Sequence, residues 1–249
     1  TKISFATGVY FQHPDFTIVG ASPLNRSLRD ERSTHAILGV TRYLSDDVKA
    51  SVETYYKDQT NLIVRQDRTT REYRNAGRGY AYGVAVSLVK RFVDRVYGQV
   101  TYSWSWSRRN DGDGTAWYNS DFNQPHMFNI LVGYQVNDEV SLSAKWKYAT
   151  GRPADSYVVH SNVFNDAGFL RYSKEITGNN ARRLPDFHTL NVRVDYRKQL
   201  GRVALVTFLD LLNAYGHLNV NEDRFLERTG EVEEKGFKLL PTIGVKLDL

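Results

Sequence analysis

Residues 96–107 read VYGQVTYSWSWS, and the two faces of this stretch decide the fold. Val100, Tyr102, Trp104 and Trp106 alternate with Gln99, Thr101, Ser103, Ser105 and Ser107. A β-strand sends successive side chains to opposite faces, so one face here is aromatic and apolar while the other is small and polar. In a sandwich in water, the aromatic face would be the core. In a transmembrane barrel the assignment inverts, with aromatics against lipid and polar residues toward a wet lumen.

The same alternation recurs along the chain. Ile3, Phe5, Val9 and Phe11 share a face in strand 1–12. Ala36, Leu38 and Val40 do so in strand 34–44, and Val48, Ala50, Val52, Thr54 and Tyr56 in the next. Tyr80, Tyr82, Val84, Val86 and Leu88 alternate with Ala81, Gly83, Ala85 and Ser87. Beyond residue 107 come Phe128 to Val136, Val140 to Tyr148 and Leu190 to Tyr196. Strand 202–214 follows, apolar on both sides at Ala204-Leu205-Val206, and strand 241–249 closes the chain. Ten antiparallel strands are expected, in an up-and-down transmembrane β-barrel or barrel half forming a single domain over 1–249, with no plug domain. The connections alternate: polar stretches near 13–33, 67–78, 108–125, 152–185 and 215–237 are long, and those between them are tight turns. Short turns at one end and long loops at the other are the barrel pattern, whereas long loops are uncommon in compact domains.

Strand direction then sets the height of each ring. At the long-loop end the apolar face carries Tyr56, Tyr80, Tyr82, Trp104, Trp106, Phe128, Trp146 and Tyr148; at the other end it carries Tyr134 and Tyr196. Aliphatic residues fill the middle. Aromatic rings concentrate at both membrane–water interfaces, so two belts against a lipid bilayer are expected.

Composition agrees with strands and excludes several classes. The chain of 249 residues is 41% hydrophobic and 13% aromatic, with 16 Tyr and no Cys; its mean hydropathy is −0.49. No apolar run is long enough for a transmembrane helix. Without Cys there is no disulfide or thiolate metal site, and no cofactor is expected. The net charge of +5 is spread out, without the Lys/Arg block that nucleic acid binding requires. No signal peptide is apparent at Thr1, so a mature chain, or a piece of one, is expected.

Several segments resemble the C-terminal barrel half of TonB-dependent outer-membrane receptors: FATGVYFQHPDF, THAILGVTRYLSDDVKASVETYYKD, GRGYAYGVAVSLVKR, NQPHMFNILVGYQ, YATGRP, RRLPDFHTLNVRVDY and FLDLLNAYGHLNV. The resemblance covers nearly the whole chain. It implies uptake of a scarce nutrient such as a metal chelate across the bacterial outer membrane, with a plug domain and TonB as partners. The family's barrels have 22 strands. This chain is therefore expected to be a fragment, one chain of a split barrel completed by a second, or an autonomous ten-stranded barrel acting as a passive pore or a structural barrel.

No catalytic signature such as GxSxG, HExxH or a P-loop is present, and the chain is expected not to be an enzyme. An outer-membrane protease is the weaker alternative, with Asp111, Asp113, Asp121 and His126 as its rim of acid and base groups. For ligand binding, the loop residues Trp117, Tyr118, Phe122, Arg182 and Arg183 are the candidates, because aromatics with Arg suit an anionic or chelate ligand.

Overall fold

The structure, a computed structural model, describes residues 1–66, 71–112, 114, 116–164 and 170–248. Leu249, expected to end the last strand, lies outside the described residues. Ten strands form one antiparallel sheet: β1 (Lys2–Gln12), β2 (Glu31–Tyr43), β3 (Val48–Arg65), β4 (Tyr73–Val93), β5 (Val96–Asn110), β7 (His126–Gln135), β8 (Val140–Ala149), β11 (Phe187–Leu200), β12 (Val203–Leu212) and β15 (Leu240–Asp248). Each wall strand pairs with the next wall strand in the chain. A short β6 (Tyr118–Asn119) extends the sheet beside β5. Two hairpins stand apart in the long connections, β9 (Pro153–Phe164) with β10 (Leu170–Arg183), and β13 (Asn219–Phe225) with β14 (Val232–Phe237).

Register explains the faces. Phe5, Leu38, Thr54, Val84 and Trp104 lie in one cross-strand row, and Tyr56, Tyr82 and Trp106 in another. All the belt aromatics expected from the sequence share this apolar face. Strand 202–214, ambiguous by alternation, is settled by its partners: Leu205, Leu209 and Leu211 pair with Leu247, Ile243 and Pro241 on the apolar face. Its other side carries Ala204, Val206 and Phe208.

Among the described residues nothing covers the apolar face. Phe5 is 69% exposed and Ile243 79%, and Val52, Val86, Leu142 and Leu209 are exposed as well. Among the described residues the buried apolar ones are few: Leu62, Val64, Leu184, Ala204 and Val220. A sandwich would bury an entire face of such side chains, so the sandwich reading fails on exposure. The largest fully buried side chains are instead Asn25, Asn123, Asn213 and Asn219.

On the polar face, rings fill holes opposite glycines. Tyr97 lies over Gly133, its cross-strand partner, and a Cβ there would meet Tyr97 Cζ at 2.0 Å. Phe208 lies over Gly244 in the same way, and the Arg193 guanidinium stacks 3.9 Å from its ring centroid while pairing with Asp195 at 2.6 Å. Arg197 pairs with Asp248 at 2.8 Å.

Four expectations about the connections need correction. Strands β3 and β4 run 18 and 21 residues, so residues 73–78 of the expected loop 67–78 belong to strand β4. Their pairing continues past bulges beside Asn61, whose φ of 57° breaks the alternation. The expected loops 152–185 and 215–237 hold the β9–β10 and β13–β14 hairpins. Segment 13–30 contains a helix, α1 (Phe16–Ala21), capped by Asp15, which accepts from Thr17 N–H at 2.8 Å. The tight turns stand as read; one carries Asp94 and Arg95 at φ 53° and 68°, the twist that suits a two-residue hairpin.

Among the described residues β1 and β15 do not pair, so the ten-stranded sheet is open at both edges. A closed ten-stranded barrel, one of the three expected arrangements, is not what the chain forms.

Candidate ligand-binding site

The long connections gather at one end of the sheet and are fastened there by asparagine amides. Asn25 donates to the carbonyls of Ile18 (2.7 Å) and Arg71 (3.0 Å) and accepts from Tyr73 N–H (3.0 Å), joining segment 13–30 to the top of β4. Asn75 donates to the carbonyls of Arg29 and Asn61 and accepts from Arg29 N–H. Asn180, at φ 49°, donates to the Asn119 carbonyl (2.8 Å) and to Asp121 Oδ1 (2.7 Å), tying β10 to the 118–121 segment. A buried amide holds a carbonyl and an N–H at once, so it can close a loop that has no ladder of its own.

Between the tops of β3 and β5 and hairpin β9–β10 lies a cleft of about 660 Å3, lined by Ile63, Val64, Arg65, Gln66, Arg109, Asp111, Tyr118 and Asn179. Arg109 follows Ser105 and Ser107 on the polar face of β5, opposite Gly79 and Tyr118. Its Nε is buried and has no hydrogen-bond partner among the described residues. The Tyr118 hydroxyl donates to Asp111 Oδ1 at 2.7 Å. Burial, and then this bond, push the Tyr118 pKa above the ordinary phenol range, so it remains a neutral donor at physiological pH. Arg65 donates to the Tyr73 hydroxyl at 3.1 Å and lies over its ring. Two guanidiniums, a neutral phenol and one carboxylate thus face a wet cavity above a polar wall.

The sequence candidates are not brought together. Tyr118 lines the cleft. Trp117, one residue away, packs its ring 5.1 Å from Tyr80 on the apolar face. Phe122 is 84% exposed. Arg182 donates to the Asp155 carbonyl and lies over the Tyr157 ring, with Lys174 at the same ring. Arg183 donates to the carbonyls of Asn123 (2.6 Å) and Gly151 (2.9 Å) and to Asn123 Oδ1 (2.7 Å), and burial lowers its pKa. It is a fastening for the loops. Arg65 and Arg109 were missed, although Arg109 simply continues the alternation of the opening stretch.

The rim of acid and base groups does not converge either. His126 bonds the Tyr102 hydroxyl on the apolar face, Asp111 holds Tyr118, and Asp121 holds Asn180. Asp113 lies outside the described residues.

A family model described as TonB dependent receptor-like, beta-barrel, matches residues 4–214. The chain belongs to this family. Like the family's other β-barrels, it is a protein of the bacterial outer membrane. No curated protein matches it. Among solved structures it is similar to the outer-membrane transporter YddB from Escherichia coli, with 15% identity and a TM-score of 0.68, covering 98% of this chain and 38% of that one. The ferric citrate transporter FecA in its unliganded form gives 13% identity and a TM-score of 0.68, covering 99% and 36%. The ferripyoverdine receptor of Pseudomonas aeruginosa gives 11% and 0.62, covering 99% and 31%. At these identities the likeness is one of fold. The chain spans about a third of the length of these TonB-dependent receptor structures.

Proposed function

We propose that this chain forms part of the wall and outer mouth of a TonB-dependent receptor that takes up an anionic metal chelate. Its apolar face meets lipid and its polar face meets the lumen and a plug domain. Open edges support a larger barrel: a bilayer interior offers no partner to the unpaired N–H and C=O groups of β1 and β15, so further strands must cover them. The wall ending in two belts supports the lipid contact, because Tyr56, Tyr82 and Trp106 at one level and Tyr134 and Tyr196 at the other flank an apolar band, mainly aliphatic with Tyr102 and Phe128 within it.

The observation that carries the ligand class is the cleft at the long-loop end, where Arg65 and Arg109 meet the neutral Tyr118. Guanidinium groups recognise carboxylate or catecholate oxygens through paired N–H donors, and the phenol adds a third. Arg109→Ala is expected to weaken binding about ten-fold or more, the cost of one charge-assisted contact. Titration of the intact protein with Fe(III)–citrate and with tris-catecholate Fe(III), followed by tryptophan quenching, provides the check. Equal affinity of wild type and Arg109→Ala for every chelate bound would remove the cleft from the site. Energy coupling through TonB belongs to the same reading and is tested by loss of uptake, with binding retained, in cells lacking TonB.

A further inference from the structure

One side of the cleft is closed by an irregularity in hairpin β9–β10. Gly178 pairs with Ser156 and Arg182 with Ala154, so between these pairs β10 contributes Asn179, Asn180 and Ala181 opposite the single residue Asp155. Extra residues on one strand of a pair leave the ladder and bend that strand. Asn180 stands at the centre of this bulge with φ 49°, a left-handed conformation that asparagine tolerates better than most side chains.

Asn180 is buried, and its bonds run in two directions. Its N–H donates to Asp155 Oδ1 at 2.9 Å, which keeps the bulge tied to β9. Its amide nitrogen donates to the Asn119 carbonyl (2.8 Å) and to Asp121 Oδ1 (2.7 Å), and its carbonyl accepts from the Asn119 amide at 3.4 Å. Asn179, one residue before it, is exposed and lines the cleft; Tyr118, one residue before Asn119, lines it too. Each of β10 and β6 thus brings one side chain to the cleft, and the bond between the two strands is made one residue away from both. The β6 side is anchored to the wall, because Tyr118 and Asn119 pair with Arg109 and Arg108 of β5. Hairpin β9–β10 forms a sheet of its own, so its place against the wall depends on such side-chain bonds.

We propose that Asn180 is a positioning residue of the cleft: its amide holds the bulge of β10 against β6 and so fixes Asn179 beside Tyr118 as a second neutral hydrogen-bonding group for the ligand. An amide both donates and accepts, so Asn179 can meet an uncharged oxygen or N–H of a ligand whose charge the guanidiniums take. Such a contact counts only if it is held to within about 0.5 Å, which an exposed side chain on an unattached hairpin would not be. Removing the Asn180 amide leaves the Asn119 carbonyl and the Asp121 carboxylate without that donor at a buried junction, so the junction itself loosens. The inference rests on the reading of the cleft as a ligand site, and its test keeps the two apart.

Asn180→Gly keeps the left-handed backbone and removes the amide. In the intact protein it is expected to weaken binding of Fe(III)–citrate or tris-catecholate Fe(III), whichever is bound, about five-fold, the worth of one neutral hydrogen bond. In a chain already carrying Asn179→Ala and Tyr118→Phe the same substitution should change affinity less than about two-fold, because the groups it places are gone. An undiminished loss there would make Asn180 a structural residue only and overturn the proposal. Gly133→Ala, near the short-turn end of β7, weakens the wall without touching the cleft and should leave affinity unchanged; a loss equal to that of Asn180→Gly would also overturn it. Position is read without any ligand. The chain contains no Cys, so nitroxides on Gln66→Cys, just past β3, and Asn179→Cys report the span of the cleft by double electron–electron resonance. One narrow distance distribution is expected, broadened by Asn180→Gly, and a distribution that Asn180→Gly leaves unchanged overturns the proposal even if neither chelate binds. Equal affinity of wild type and Arg109→Ala would fail the ligand reading itself, an outcome the distance measurement does not share.

Discussion

Lysine placed at Val86 should be far more damaging than lysine placed one residue further, at Ser87. Val86 pairs with Val52 on one side and Tyr102 on the other, on the apolar face. Ser87 pairs with Ser51 and Thr101 on the polar face. Along β4, Val86 is four residues below Tyr82. At about 3.4 Å per residue and a tilt near 40°, this is about 10 Å beneath the belt. The apolar band of an outer-membrane barrel is about 25 Å tall, so Val86 sits close to its middle. A lysine at that depth costs about 2–4 kcal/mol, whereas on a wet polar wall its cost is close to zero. The assay is urea unfolding of the intact protein in phospholipid vesicles, with heat-modifiable migration as an independent measure of the folded fraction. Val86→Lys should lose stability by that amount and Ser87→Lys by less than about 1 kcal/mol. Equal losses, or a larger loss at Ser87, would refute the assignment of faces on which every functional statement above depends.

Three further outcomes are expected. Asn25→Ala removes three hydrogen bonds at a buried position and should cost about 2–3 kcal/mol, with faster proteolysis within segment 13–30; an unchanged cleavage pattern would deny it a fastening role. Gly133→Ala drives a methyl into Tyr97 and should destabilise by about 1–3 kcal/mol, and Tyr97→Ala in the same chain should recover most of the loss; additive losses would show that the ring does not fill that hole. In the turn after β2, bonds from Lys90 and then Ser45 pull the Asp47 pKa down to about 2. A depressed carboxyl stabilises the folded state above its unfolded value near 3.9 and loses that contribution as pH falls through about 2. Lys90→Met should therefore lower stability at neutral pH, and the difference from wild type should vanish in an acid titration below pH 2; a difference constant with pH would assign the loss to something other than this pair.

The wall was legible in the sequence because lipid and lumen impose opposite demands on alternate residues, and every wall strand but β12 obeys them. Legibility stopped where those demands stop. Above the belt both faces of a strand are wet, so β9, β10, β13 and β14 show no alternation and read as loop. Residues 62–65 of β3 were hidden by the bulge at Asn61, and with them Arg65. Strand β12 was ambiguous because Ala204-Leu205-Val206 is apolar on both sides, and on its polar side Phe208 is also accommodated, since Gly244, thirty-six positions later, leaves room for its ring. Arg183 looked like a ligand contact because nothing local reveals that Asn123, sixty residues earlier, receives it. The cleft is the intermediate case: Arg109 was readable by continuing the 96–107 pattern two residues further, whereas its neighbour Arg65 was not.

The asparagine fastenings have a chemical consequence for how such a protein ages. Asn25, Asn123, Asn180 and Asn213 each direct their amide nitrogen at a carbonyl oxygen. Deamidation would replace that nitrogen with a carboxylate oxygen, turning an attraction into repulsion between two acceptors. Their successors in the chain are Arg26, Gln124, Ala181 and Ala214, none of them the glycine that lets the backbone nitrogen attack the side chain most readily. The latches of the long-loop end are therefore built from a residue prone to spontaneous decay, in sequence neighbourhoods that slow it.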